Sequence, residues 1–104
     1  MEPIYKKKTY QFNLEIRINN IPVDISNDEV TVYLNKTYNA ATPLITAEAD
    51  LTAGASGIAS FEFTTTQTDI AAGNYFMQGF WKPFGTTREF TVLDESIKVK
   101  VVIK

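Results

Sequence analysis

The chain contains no cysteine and no histidine. The first absence excludes disulfides and thiolate chemistry, and leaves the redox compartment open. The second removes the usual general base near neutral pH and the commonest metal ligand. No ordinary catalytic triad can form, and no serine sits in a nucleophile elbow. No apolar run approaches the length of a membrane-spanning helix. The basic start, MEPIYKKK, has no apolar segment behind it, so no secretory signal is expected. A net charge of −2 supplies no basic field for nucleic acid or an anionic membrane.

What the chain does contain suits a pleated sheet. Its 104 residues are enough for one domain with a single core. Seven Phe and five Tyr stand among many Val, Ile and Thr, which pack better on strands than on helices. Residues 1–8 read as a short basic N-terminal arm, with Lys6, Lys7 and Lys8 solvated, and residues 9–104 as one β-sandwich domain. From Thr9 the chain alternates: Tyr10, Phe12, Leu14, Ile16 and Ile18 on one side, Gln11, Asn13, Glu15 and Arg17 on the other. That is the pattern of a half-buried strand.

Further strands follow at regular spacing. The tetrad Ser26, Asn27, Asp28, Glu29 matches a helix capping box. The alternation of Val30, Val32 and Leu34 with Thr31, Tyr33 and Asn35 overrides it and predicts a strand. Ile45, Ala47 and Ala49 mark a weaker one, and TAGASG at 52–57 is a turn. Ala59, Phe61 and Phe63 point inward from the next. A corner at 65–73 is expected to hold a single helical turn at Asp69–Ala72. Glu89–Leu93 and Ile97–Ile103 read as two closing pieces, with Ile97, Val99, Val101 and Ile103 inward. Lys98, Lys100 and Lys104 line the other side and discourage edge pairing. The count is about seven strands, the signature of an all-β, immunoglobulin-like antiparallel β-sandwich.

The stretch DIAAGNYFMQGFW, residues 69–81, organises the rest. Asp69, Gly73, Tyr75 and Met77 form a tyrosine-corner pattern, in which a Tyr near a strand start bonds back to the preceding corner and a core residue follows two positions later. Tyr75, Met77 and Trp81 point one way, and Phe76 and Phe80 the other. A sheet in a two-layer sandwich has one face toward its own core. Phe76 and Phe80 are therefore candidate interface residues, joined by Phe84 in the following hairpin loop. Binding or assembly is the function class this favours, and catalysis the one it disfavours.

With these strands placed, the order of signals resembles the immunoglobulin-like N-terminal domain of tailed-phage baseplate upper proteins and related phage tail modules. The resemblance rests on Thr9–Ile18, on Ile21, Pro22, Val23, Asp24 and Ile25 leading into Val30–Leu34, and on Gly57–Phe63. It continues through the corner with Asp69, Gly73, Asn74 and Tyr75 to Phe90–Leu93 and Ile97–Val99. It implies a virion structural protein, assembled in the host cytoplasm, that docks to copies of itself or to other virion proteins without catalysis. Such proteins usually continue into helical or receptor-facing segments, so host attachment is not implied.

Asp24, Asp28, Asp50 and Asp69 could gather oxygen ligands for calcium, but their spacing matches no EF-hand loop, and turn aspartates usually bond local backbone. No cofactor or metal is expected. Trp81, Phe84, Tyr33 and Tyr38 could form a sugar-stacking platform, making a carbohydrate-binding or adhesive module the alternative function. Core packing of Trp81 against Tyr75 and Met77 is the favoured reading. Asn35, Lys36 and Thr37 form a glycosylation sequon that carries little weight without a secretory signal.

Overall fold

The computed structural model describes residues 2–37 and 42–101. Nine strands run through them: β1 Ile4–Tyr5, β2 Tyr10–Glu15, β3 Arg17–Ile18, β4 Ile21–Pro22 and β5 Glu29–Asn35, then β6 Ile45–Glu48, β7 Ile58–Phe63, β8 Gly73–Lys82 and β9 Phe90–Lys100. They make an all-β sandwich. One layer is a five-stranded sheet in the order β1-β9-β8-β5-β6. The other is the antiparallel pair β2-β7, and β3-β4 is a small hairpin. The connectivity is immunoglobulin-like: β2 and β7 hold the places of strands B and E, and β5, β8 and β9 those of C, F and G.

The core lies where the inward residues of both layers meet. Val30, Val32 and Leu34 of β5 and, beside them in the same sheet, Tyr75, Met77 and Trp81 of β8 share one core with Ala59, Phe61 and Phe63 of β7, all buried. Phe12 stacks on Phe61 at 5.1 Å and meets Phe63 edge-on at 5.6 Å. Such aromatic pairs add about 0.5–1.5 kcal/mol beyond their burial.

Two glycines set local geometry. Gly57 adopts φ +78°, and a Cβ there would lie 2.7 Å from the Ile16 carbonyl oxygen. The same close approach lets Ile16 N–H donate to the Gly57 carbonyl at 2.7 Å. Gly79 faces the core, where a Cβ would come within 3.0 Å of Leu93 Cβ. The β8-β9 register slips here: Gly79 pairs with Leu93 and Phe80 with Thr91, leaving Val92 as the extra residue of a bulge.

Several expectations require correction. Residues 1–8 are not simply an arm: Ile4 is fully buried and β1 pairs in parallel with β9 at Val99 and Lys100. One apolar side chain reaching the core outweighs the charge run beside it. The closing segment is one continuous strand, β9, because β8 pairs with it through Asp94, Glu95 and Ser96. The long opening strand breaks at Ile16, and Ile18 is exposed beyond the break. Val101 is also exposed, while Ile103 and Lys104 lie outside the described residues. The corner at Asp69–Ala72 has no helical turn; a 3-10 turn instead occupies Gly54–Ser56.

A candidate docking surface

The position of β8 between β5 and β9 determines what each of its faces meets. Its inward residues are sealed: Met77 has no exposure, and Tyr75 and Trp81 are buried. The Tyr75 hydroxyl donates to the Ala71 carbonyl at 2.6 Å, so the ring is buried while its polar end ties down the corner. Lys36 Nζ sits 4.6 Å over the same ring, a cation on the negative face of the π system. Gly73 opens the strand, and Asp69 stands earlier in the corner, 3.7 Å from Lys6 Nζ. Asp69, Gly73, Tyr75 and Met77 thus fall on one continuous corner.

The opposite face carries Phe76, Gln78 and Phe80. Phe76 and Phe80 are half-buried, and Gln78 between them is buried. The Phe80 ring lies 5.9 Å from that of Tyr33 on the neighbouring strand. Beside Gln78, Asn35 is buried and donates from Nδ2 to Gln78 Oε1 at 3.4 Å, while its Oδ1 has no hydrogen-bond partner among the described residues. The face is therefore a polar seam of Asn35 and Gln78 with half-covered rings around it, not an open apolar plane. Burial of Asn35 also removes it as an accessible glycosylation acceptor.

Phe84 stands apart, 79% exposed at the tip of the β8-β9 loop. Its backbone N–H donates to Asp28 Oδ1 at 2.8 Å, while Asp28 Oδ2 accepts from Trp81 Nε1 at 2.8 Å. One carboxylate therefore fixes both the indole and the loop that displays Phe84. In the sequence Asp28 belongs to a capping-box tetrad and to the possible cation ligands, and neither pattern points to this role. Its partners lie more than fifty positions away, and no local pattern marks them.

The sugar-stacking set does not come together. Trp81 faces the core opposite Val30, whereas Tyr33 lies on the outer face of the same sheet. Tyr38 lies outside the described residues. Two other turn aspartates, Asp24 and Asp50, bond locally. Asp24 accepts from the Ser26 hydroxyl and N–H, and Asp50 from those of Thr52. In each case the side-chain hydrogen bond first, then the backbone one, holds the carboxyl below its ordinary range. Glu48, Asp50 and Glu62 line one shallow trough, a juxtaposition the sequence did not signal. Glu62 accepts there from Gln11, and no cluster of three acidic residues able to hold a metal occurs among the described residues.

The chain matches no protein-family model, and no curated protein is significantly similar to it.

Proposed function

We propose that the chain is a structural, non-catalytic module of a tailed-phage tail or baseplate, docking to other virion proteins or to copies of itself. The observation that carries this reading is the outer face of the five-stranded sheet, where Tyr33, Phe76 and Phe80 stand on the side turned away from the core. Burying the rest of such rings against a partner contributes up to about 1.5–3 kcal/mol for each fully covered Phe, enough for two to anchor a modest interface. Phe84, held out by Asp28, adds a separate exposed ring at the tip of the β8-β9 loop. The chemistry of the chain fits docking better than turnover. It lacks His and Cys, and its ordered turn carboxylates Asp24 and Asp50 are held in their ionised form by local donors.

The test is the composition of purified particles from cells producing the chain. Mass spectrometry is expected to find it at a fixed copy number relative to other virion proteins. Its absence from the particles, with retention of the soluble chain on immobilised glycans, overturns the virion reading in favour of an adhesive module.

A further inference from the structure

Among the described residues, no strand lies on the outer side of β2, where an immunoglobulin-like sheet carries its strand A. Strand β1 lies in the other layer, beside β9. The consequence is visible across each pair. Phe61, Phe63 and Ala59 on β7 are buried, while their partners Phe12, Tyr10 and Leu14 on β2 are only partly so. The free side of β2 continues into a groove of about 700 Å³ lined by Ile16, Ile18, Trp81, Phe90 and Val92.

The backbone direction along that edge follows from one bridge. Ser60 exchanges both of its backbone bonds with Asp50, so it turns away from β2. Asn13, opposite Ser60, therefore belongs to a non-hydrogen-bonded pair, as do Gln11 and Glu15 by the alternation of antiparallel ladders. Their N–H and C=O groups point to the open side, and no backbone partner meets them there among the described residues. The other long edge is protected. β9 carries a bulge at Val92, an inward-pointing Glu95 opposite Met77, and Lys98 and Lys100. Between Tyr10 and Leu14, β2 has no charge, proline or bulge.

We propose that the β2 edge pairs with the same edge of a second copy of this chain, antiparallel, about a two-fold axis at Asn13. Only registers that oppose residues of like parity keep the two inward faces continuous. Centred on Asn13, the pairing sets Gln11 against Glu15 of the other copy and Phe12 against Leu14, and brings Tyr10 beside Ile16. Gln11, Asn13 and Glu15 of both copies then exchange backbone bonds, and the half-covered core residues gain the neighbour they lack. Centring on Phe12 instead would set Arg17 against Lys7, like charge on like. The Asn13 register sets Arg17 against Thr9. Such an isologous contact closes as a dimer. It uses a different surface from Phe76 and Phe80 and does not depend on their role.

Sedimentation equilibrium up to about 1 mM tests this. The wild-type chain is expected to form a concentration-dependent dimer. Asn13→Pro removes an outward N–H and leaves the β7 ladder intact, and is expected to weaken dimerisation about tenfold or more. Because the chain has no cysteine, Asn13→Cys gives one thiol per copy, expected to oxidise to a covalent dimer far faster than a control Glu62→Cys. The Cys variant also decides the matter if Asn13→Pro fails to fold. A wild-type chain that stays monomeric throughout, a dimer unaffected by Asn13→Pro, or no preferential cross-linking at residue 13 overturns the proposal.

Discussion

β8 and β2 each turn a row of apolar side chains toward one core, and the two rows meet different fates. β8 also carries Phe76 and Phe80 on its outer face, where β2 carries Gln11 and Asn13. β8 lies between two partners, and its inward residues Tyr75, Met77 and Trp81 are buried. Among the described residues β2 has one partner, and Tyr10, Phe12 and Leu14 remain half-exposed. Alternation specifies which face points inward; the number of neighbouring strands decides how well that face is sealed. The sandwich is closed around β8 and open between β2 and the first half of β9, where the inward-facing Glu95 and Phe90 remain exposed.

Truncating rings on the two sides measures this difference. Phe63→Ala empties a fully buried site and is expected to cost about 3–5 kcal/mol, while Phe12→Ala in the same aromatic group costs about half as much. Urea denaturation reads both. Equal losses would mean that the β2 side is as closed as the β7 side. Gly57→Ala comes next, at about 2–3 kcal/mol, because it combines a positive φ with a Cβ pressed against the Ile16 carbonyl. It acts where β2 ends, so its effect is expected as a lower denaturation midpoint with an unchanged slope.

Tyr75→Phe is smaller. It removes the bond to Ala71 and is expected to cost about 0.5–1.5 kcal/mol, read as a shift in melting temperature. An unchanged midpoint would show that the hydroxyl does not hold the corner. The smallest effect is acid-dependent. The folded chain binds protons at Asp24 and Asp50 less tightly than the unfolded chain does. Their contribution is therefore complete above the ordinary carboxylate range near pH 4 and is lost as pH falls through the lower folded values. Asp24→Asn with Asp50→Asn is expected to flatten the acid limb of a stability–pH curve below about pH 4. It leaves the curve's shape above that range unchanged. Both carboxylates are exposed, so the change is small.

What could be read from the chain follows from the same comparison. The inward sets Val30, Val32, Leu34 and Ala59, Phe61, Phe63 were legible because a buried face imposes period-two alternation. So was the placement of Tyr75 against its corner, since the glycine, Tyr and following core residue are local. Ile4 was not legible, because a two-residue edge strand beside three lysines has no period to detect. β9 looked like two strands because Asp94, Glu95 and Ser96 are polar on both faces, as an open flank permits. Ile18 alternated correctly yet is exposed, since the β3-β4 hairpin carries it past the end of the partner layer. The candidate interface was legible as a face but not as a surface. That Gln78 is buried between Phe76 and Phe80 depends on Asn35 of a strand forty-three residues away.

The central claim, docking through that outer face, is tested most directly by the amount of chain in purified particles when Phe76 and Phe80 are both replaced by serine. Circular dichroism first establishes that the double variant folds, as expected for residues outside the main core. The account predicts a folded chain missing from the particles while wild type is incorporated. Incorporation of the double variant at the wild-type level would contradict it and move the docking surface elsewhere.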